Sequence, residues 1–266
     1  MEEILDCLKV INEIEQCESQ TEVNMTGLHS ISPLSALLLS AKILEAGRRA
    51  KIKIVPPLDT PTRSYLTQSG LPLEGPKQAI INHTIHHAQK DINQEAQKVL
   101  KIVDSTFPEN IKGNVAGYLF GEFCDNIDQH SQFNHASIMG TFSSSKNLTE
   151  FGFFDNGITI PGNIKKRNVK FDEDYDAIEL ALQGVSTKMG ETRGTGLYTS
   201  SNLISKGLQG DLFLISRQGA VHLSANSDRK LFKLGDNTLN GTLAYMRFKV
   251  PNTKVNIYDY IRGGGR

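Results

Sequence analysis

Gly121-Glu122-Phe123-Cys124-Asp125-Asn126-Ile127-Asp128-Gln129-His130-Ser131 is the stretch from which the rest of the chain can be read. On an α-helix Glu122, Asn126 and His130 fall four residues apart and stack along one face. A polar stripe at that spacing is either a solvated helix face or a site. A carboxylate one turn before a carboxamide suits the orientation of a water beside a hydrated Mg2+ ion, which binds few protein oxygens and takes the rest from water and phosphates. The spacing alone does not choose between the two.

Two glycine motifs lie downstream. Phe151-Gly152-Phe153-Phe154-Asp155-Asn156-Gly157-Ile158-Thr159-Ile160-Pro161 reads as an apolar strand running into a turn, with a carboxylate at its mouth and a glycine that allows close backbone approach. An ordinary hairpin turn would also explain Asp-Asn-Gly. Then come Gly184-Val185-Ser186-Thr187-Lys188, a short polar gap, and Arg193-Gly194-Thr195-Gly196-Leu197 opening a helical run from Tyr198 to Ile204. Glycines just before a helix let backbone N–H groups face an anion, and the helix dipole favours phosphate there.

In this order and at these separations, the three elements resemble the N, G1 and G2 boxes of the GHKL ATPase superfamily, with its histidine kinase-like (Bergerat-type) ATPase fold. Gly241-Thr242-Leu243-Ala244-Tyr245-Met246-Arg247-Phe248 is similar to the fourth element, the Gly-Thr strand that closes the adenine pocket. The resemblance covers roughly residues 80 to 250, and the E-x-x-x-N-x-x-x-H form of the first box is most like the anti-sigma-factor serine kinases. It implies ATP and Mg2+ as cofactors. Glu122 would be the general base and Asn126 the Mg2+ ligand; Asp155 would accept from the adenine amino group, with Gly157 letting the backbone pass the base and Thr242 supporting it. Gly194, Thr195 and Gly196 would bind phosphates through backbone amides, Lys188 and Arg193 would add cations, and Thr187 and Leu197 belong to the same binding segments. His130 is left between capping its helix and touching phosphate. Where the family has the second glycine of DxGxG, this chain has Thr159, which puts the tight turn in doubt and burdens hydrolysis more than binding.

The implied fold is an α/β sandwich, a mixed and mainly antiparallel sheet covered by helices, over residues 106–252. Ahead of it, helical, strand, helical and strand patterns over Met1–Cys17, Glu22–Gly27, Pro33–Ala46 and Lys51–Val55 form a βαβ-like unit that resembles a reduced STAS-like domain, residues 1–75. Ser32 before Pro33 reads as a helix cap. Residues 76–105 read as a linker and a connecting helix. Within it, residues 77–103 are expected to be helical and to carry His83, His86 and His87 on a solvated face. The charged stretch Lys165–Arg193 is expected to be a lid over the triphosphate, and residues 253–266 a C-terminal tail.

Composition narrows the partners. The 266 residues hold 29 Lys+Arg and 29 Asp+Glu, so no long-range field draws the chain to nucleic acid or to an anionic membrane. Cys7, Cys17 and Cys124 have no metal-ligand spacing and are odd in number, which suits a reducing compartment. No apolar run is long enough to span a bilayer and the acidic start is no signal peptide, so a cytoplasmic protein is expected. ATP is the implied small-molecule partner, with a protein partner beside it, and a homodimer is compatible with the sequence. The functional expectation is a Mg2+-dependent ATP-binding protein that couples nucleotide state to partner binding or signalling. The alternatives are a protein serine kinase acting on a STAS-like partner and a nucleotide sensor that does not hydrolyse.

Overall fold

The computed structural model describes residues 2–15, 20–48, 51–69, 71, 73, 82–184, 196–225 and 229–261. Apolar residues at alternating positions build the centre of the fold, a seven-stranded sheet in the order β3 (Asn82–Ala88), β4 (Ala136–Ser143), β5 (Leu148–Asp155), β9 (Leu239–Lys249), β6 (Asp211–Arg217), β7 (Gly219–Leu223) and β8 (Lys230–Lys233). Every neighbouring pair in it is antiparallel, so the expected mixed sheet is corrected to a wholly antiparallel one. The parallel pairing in the described residues is that of β1 (Gln20–Asn24) with β2 (Lys51–Val55) in a separate two-stranded sheet, joined by the helix α2 (Pro33–Ala46) as a βαβ unit.

Both faces of the large sheet are covered, which is why β4, β5 and β9 are apolar on successive residues as well as alternate ones. On one face Ile138, Phe151, Phe153, Leu212, Leu214, Ala244 and Met246 meet α4 (Ile92–Thr106), α5 (Asn114–Asn126), α7 (Asp174–Leu182) and the residues after α8 (Gly196–Asn202). On the other, Met139, Phe154, Ile215, Leu243 and Tyr245 meet α1 (Glu2–Glu15) and α2. Phe120 of α5 packs edge-on against Phe151 and Phe153 at 5.0 Å each, and Phe123 stacks on Phe153 at 5.1 Å. Truncating one such buried phenylalanine costs about 3–5 kcal/mol. These rings hold the inner side of α5 against the sheet, so its polar residues lie toward the margin. On the opposite face Gly152 is what lets α2 approach: a β-carbon there would stand 2.5 Å from Leu37 Cδ2.

The helix ends follow local chemistry. Ser32 caps α2, accepting from Ser35 N at 3.2 Å ahead of Pro33, as its sequence predicts. Asp59 caps α3 (Thr60–Gln68) in the same way, accepting from Thr62 N at 2.8 Å.

Residues 77–103 do not form one helix. Asn82–Ala88 is the edge strand β3, paired from Asn82↔Phe142 to Ala88↔Ala136, and the helix begins only at Ile92, capped by Asp91, which accepts from Gln94 N at 2.9 Å. Residues 82–105, expected as linker and connecting helix, therefore belong to the sheet and its helical cover. The three histidines are on that strand, and one of them has an acidic neighbour: His86 Nδ1 lies 3.1 Å from Glu95 Oε2. The expected tail begins later than residue 253, because Val255, Ile257 and Tyr260 pack against the core and α9 (Tyr258–Ile261) closes on the turn at Gly207; residues 262–266 lie outside the described residues. Among the described residues no helix is long and apolar enough to cross a membrane.

Candidate functional site

The polar stripe begins on α5 as expected, with Glu122 and Asn126 half-buried one turn apart. The α-helix stops at Asn126. Ile127–Ser131 form a single π-helical turn ended by Gln132 in the left-handed conformation, φ 52°. His130 lies within this turn, four residues after Asn126. The backbone carbonyl of His130 accepts from Asn163 Nδ2 at 3.1 Å, which binds the π-turn to α6 (Ile160–Lys165).

Glu122 is met by the start of α8, far along the chain. A β-carbon at Gly196 would stand 2.0 Å from Glu122 Oε2, so any larger residue there would push the Glu122 carboxylate aside. Tyr118, one turn before Glu122, bridges the same pair of elements. Its hydroxyl is 2.5 Å from Thr199 Oγ1 and hydrogen-bonds with Glu122, while Thr199 Oγ1 donates to Gly196 O at 3.0 Å. Burial, reinforced by the nearby charge of Asp125, holds the Glu122 carboxyl above its usual range, the direction a proton-accepting group needs. Leu197 packs against the core beside this junction. Thr187, Lys188, Arg193, Gly194 and Thr195 lie outside the described residues, as does the end of the expected lid from residue 185; its described part, 165–184, includes α7, whose Ala177, Ile178 and Leu182 are buried, so that part is a packed helix and not a free lid.

The second cluster forms at the end of β5. Asp155 is 4% exposed and accepts from Gly157 N at 2.9 Å, making the turn. Burial pushes its carboxyl up to about 7 against the opposing effect of the Gly157 N–H, Ser131 and Lys42. Thr242 faces it across the β5–β9 ladder, and Thr242 Oγ1 lies 3.0 Å from Ser216 Oγ. Two glycines make the enclosure: a β-carbon at Gly157 would be 2.0 Å from Ser131 O, and one at Gly241, where φ is +134°, would be 1.9 Å from Asp155 O. Ile158 N donates to Ser131 O, so the end of the π-turn is stitched to the Asp155 turn.

Thr159 is no broken glycine turn. With φ −71° and ψ 162° it caps α6, its hydroxyl accepting from Gly162 N at 3.1 Å, and Pro161 sits in the first turn. Extended backbone at this position has no need of glycine.

Several residues outside the expected set complete the site. Asn156 accepts from Asn134 N at 3.0 Å and His135 N at 2.8 Å, and donates to Glu45 Oε1 of α2 at 2.7 Å. Burial opposes the charge on Glu45, but Lys42 and Asn156 hold it below its usual range. Lys42, 2% exposed, pairs with Glu15, lies 3.3 Å from Glu45 Oε2, donates to Asn240 O at 3.1 Å and covers the Phe154 ring at 5.1 Å. The underside of the Asp155 turn is thus held by α1 and α2.

Among the described residues no group of three His, Cys, Asp or Glu side chains is placed to cage a metal ion. The donors present suit an ion held mainly by phosphate and water: the amide oxygen of Asn126 has no partner among the described residues, and Glu122 stands one turn away. Compared with known proteins, the chain matches no family model and no curated protein sequence.

Proposed function

We propose that the chain binds ATP with Mg2+ in the manner of the GHKL ATPases and couples the nucleotide state to a protein partner. The observation that supports this is the placement of the two clusters along one helix. Gly196 lies against Glu122 at one end, the Asp155 turn is bonded to Ser131 at the other, and the helical segment between them spans on the order of 12 Å. That is the scale separating a base from the terminal phosphate of a nucleoside triphosphate. In this reading Asp155 and Thr242 receive the base, Asn126 contributes one oxygen to the ion on the phosphates, and Glu122 takes the proton of the attacking water or hydroxyl. The ion would supply charge neutralisation on the phosphates.

Calorimetry with Mg-ATP and Mg-GTP tests the assignment, with saturable ATP binding and weaker GTP binding expected. Equal affinity for the two, or none for either, would remove the role of Asp155. Free phosphate measured against label on co-purifying protein then separates an ATPase from a serine kinase acting on a STAS-like partner and from a sensor.

A further inference from the structure

A cavity of about 550 Å3 lies on the α2 side of the sheet, between the end of α2, β2 and the β3–β4 edge. Its volume is within the range of small-molecule sites. Ile43, Leu44, Ile52 and Ile54 give it apolar walls; among the described residues its polar side chains are Arg48, Lys51, His87 and His135. His135 also bonds Asn156 of the Asp155 turn through its backbone, and the other lining residues lie outside the proposed nucleotide site.

The histidines are linked in a chain whose direction Arg48 sets. Arg48 Nη2 is 3.2 Å from His135 Nδ1, and a guanidinium can only donate, so Nδ1 is the acceptor and the His135 proton sits on Nε2. That Nε2 is 3.2 Å from Ser137 Oγ, which is 2.7 Å from His87 Nδ1. Ser137 accepts from His135 and donates its own proton to His87 Nδ1, leaving the His87 proton on Nε2. The His87 Nε2 atom is buried and has no hydrogen-bond partner among the described residues, while the two rings stack at 5.5 Å. Burial pushes both imidazoles down to about 4, and Arg48 adds to this at His135, so both rings are neutral at pH 7.

We propose that this cavity binds a small organic anion, an apolar body carrying a carboxylate, whose head pairs with Arg48 and Lys51 beside the neutral imidazoles of His87 and His135. Two cations in the lining select negative charge, and the isoleucine and leucine walls select an apolar body over a bare inorganic ion. The inference stands apart from the nucleotide reading.

The test uses the full chain with octanoate, octanamide and inorganic phosphate as probes, by calorimetry and by 15N imidazole NMR. Octanoate is expected to bind saturably and to shift the Nε2 resonance of His87, with octanamide weaker by about tenfold or more, the difference a charge-assisted pair makes. Arg48→Gln and Lys51→Gln, both at exposed positions, should each weaken octanoate binding and reduce the preference for acid over amide. No saturable octanoate binding, equal affinity for acid and amide, phosphate binding as tight as octanoate, or an unchanged affinity in Arg48→Gln would each overturn the proposal.

Discussion

Asp155→Asn should stabilise the protein while weakening its nucleotide binding. The wild-type carboxyl is pushed up to about 7 by burial, from an ordinary value of 3.8 in the unfolded chain. The folded state therefore binds the proton more tightly than the unfolded state does between those values. The contribution of this group to stability is highest below about pH 4, falls as pH rises, and levels off above about pH 7. A shift of about three pKa units corresponds to roughly 4 kcal/mol in full, of which about 2.5 kcal/mol develops between pH 5 and pH 8. The asparagine side chain would carry no such titration, and its amide oxygen can still accept the Gly157 N–H that makes the turn.

The assay is urea unfolding of both proteins at pH 5 and pH 8 without nucleotide. Taking the difference between variant and wild type cancels every other titrating group. The variant should gain roughly 2.5 kcal/mol on the wild type over that interval, and calorimetry at pH 8 should find its Mg-ATP affinity lower by about 1–3 kcal/mol. A stability difference that does not change with pH would refute the account of Asp155 as a carboxylate held at a cost for ligand.

Further outcomes follow from the same geometry. Glu122→Gln should keep ATP binding and lose most turnover, whereas Asn126→Ala should lose the Mg2+ dependence of binding, both read by calorimetry and phosphate release. Gly196→Ala places a methyl 2.0 Å from Glu122 Oε2, and displacing that carboxylate by about 1 Å should cut kcat about a hundredfold. Gly241→Ala meets both a φ of +134° and Asp155 O and should cost about 3 kcal/mol or more by thermal unfolding. After incubation with labelled Mg-ATP, no acid-labile phosphate should form on His83, His86 or His87, because β3 holds them in the sheet edge and not on a helical hairpin that could reach the site; labelling lost in His86→Gln would contradict this.

What could be read in advance depended on how local the signal was. α2 and β2 were legible to the residue because Ser32-Pro33 starts the helix and Lys51–Val55 alternates. Glu122 and Asn126 were legible through spacing. Tyr118 carries the same four-residue signal one turn earlier, but a tyrosine on an apolar helix reads as core. Lys42, Glu45 and Ser131 were not legible, since they reach the Asp155 turn only through packing between elements far apart in sequence. β3 was missed for a related reason. His-Thr-Ile-His-His has no clear period, and its partner β4 begins at residue 136, so only a non-local pairing makes it a strand.

Thr159 shows how a motif can mislead where local chemistry would not. Matched against a glycine pattern, the residue looks like a defect at the mouth of the site. Matched against helix starts, Thr159-Ile160-Pro161 carries the same kind of information as Ser32-Pro33: a hydroxyl that can accept from the third backbone N–H, then a proline within the first turn. The cap directs the chain into α6, whose first amide, Ile160 N, donates to Ser216 Oγ at 3.0 Å, and Ser216 in turn contacts Thr242. The position occupied by threonine therefore ties the end of the Asp155 turn to the strand pair β6–β9 beneath it. A glycine there would give up the cap, worth about 1 kcal/mol or less, and loosen the connection between α6 and the carboxylate. Thr159→Gly should accordingly lower stability slightly and weaken nucleotide binding; tighter binding in that variant would restore the view that threonine obstructs the turn.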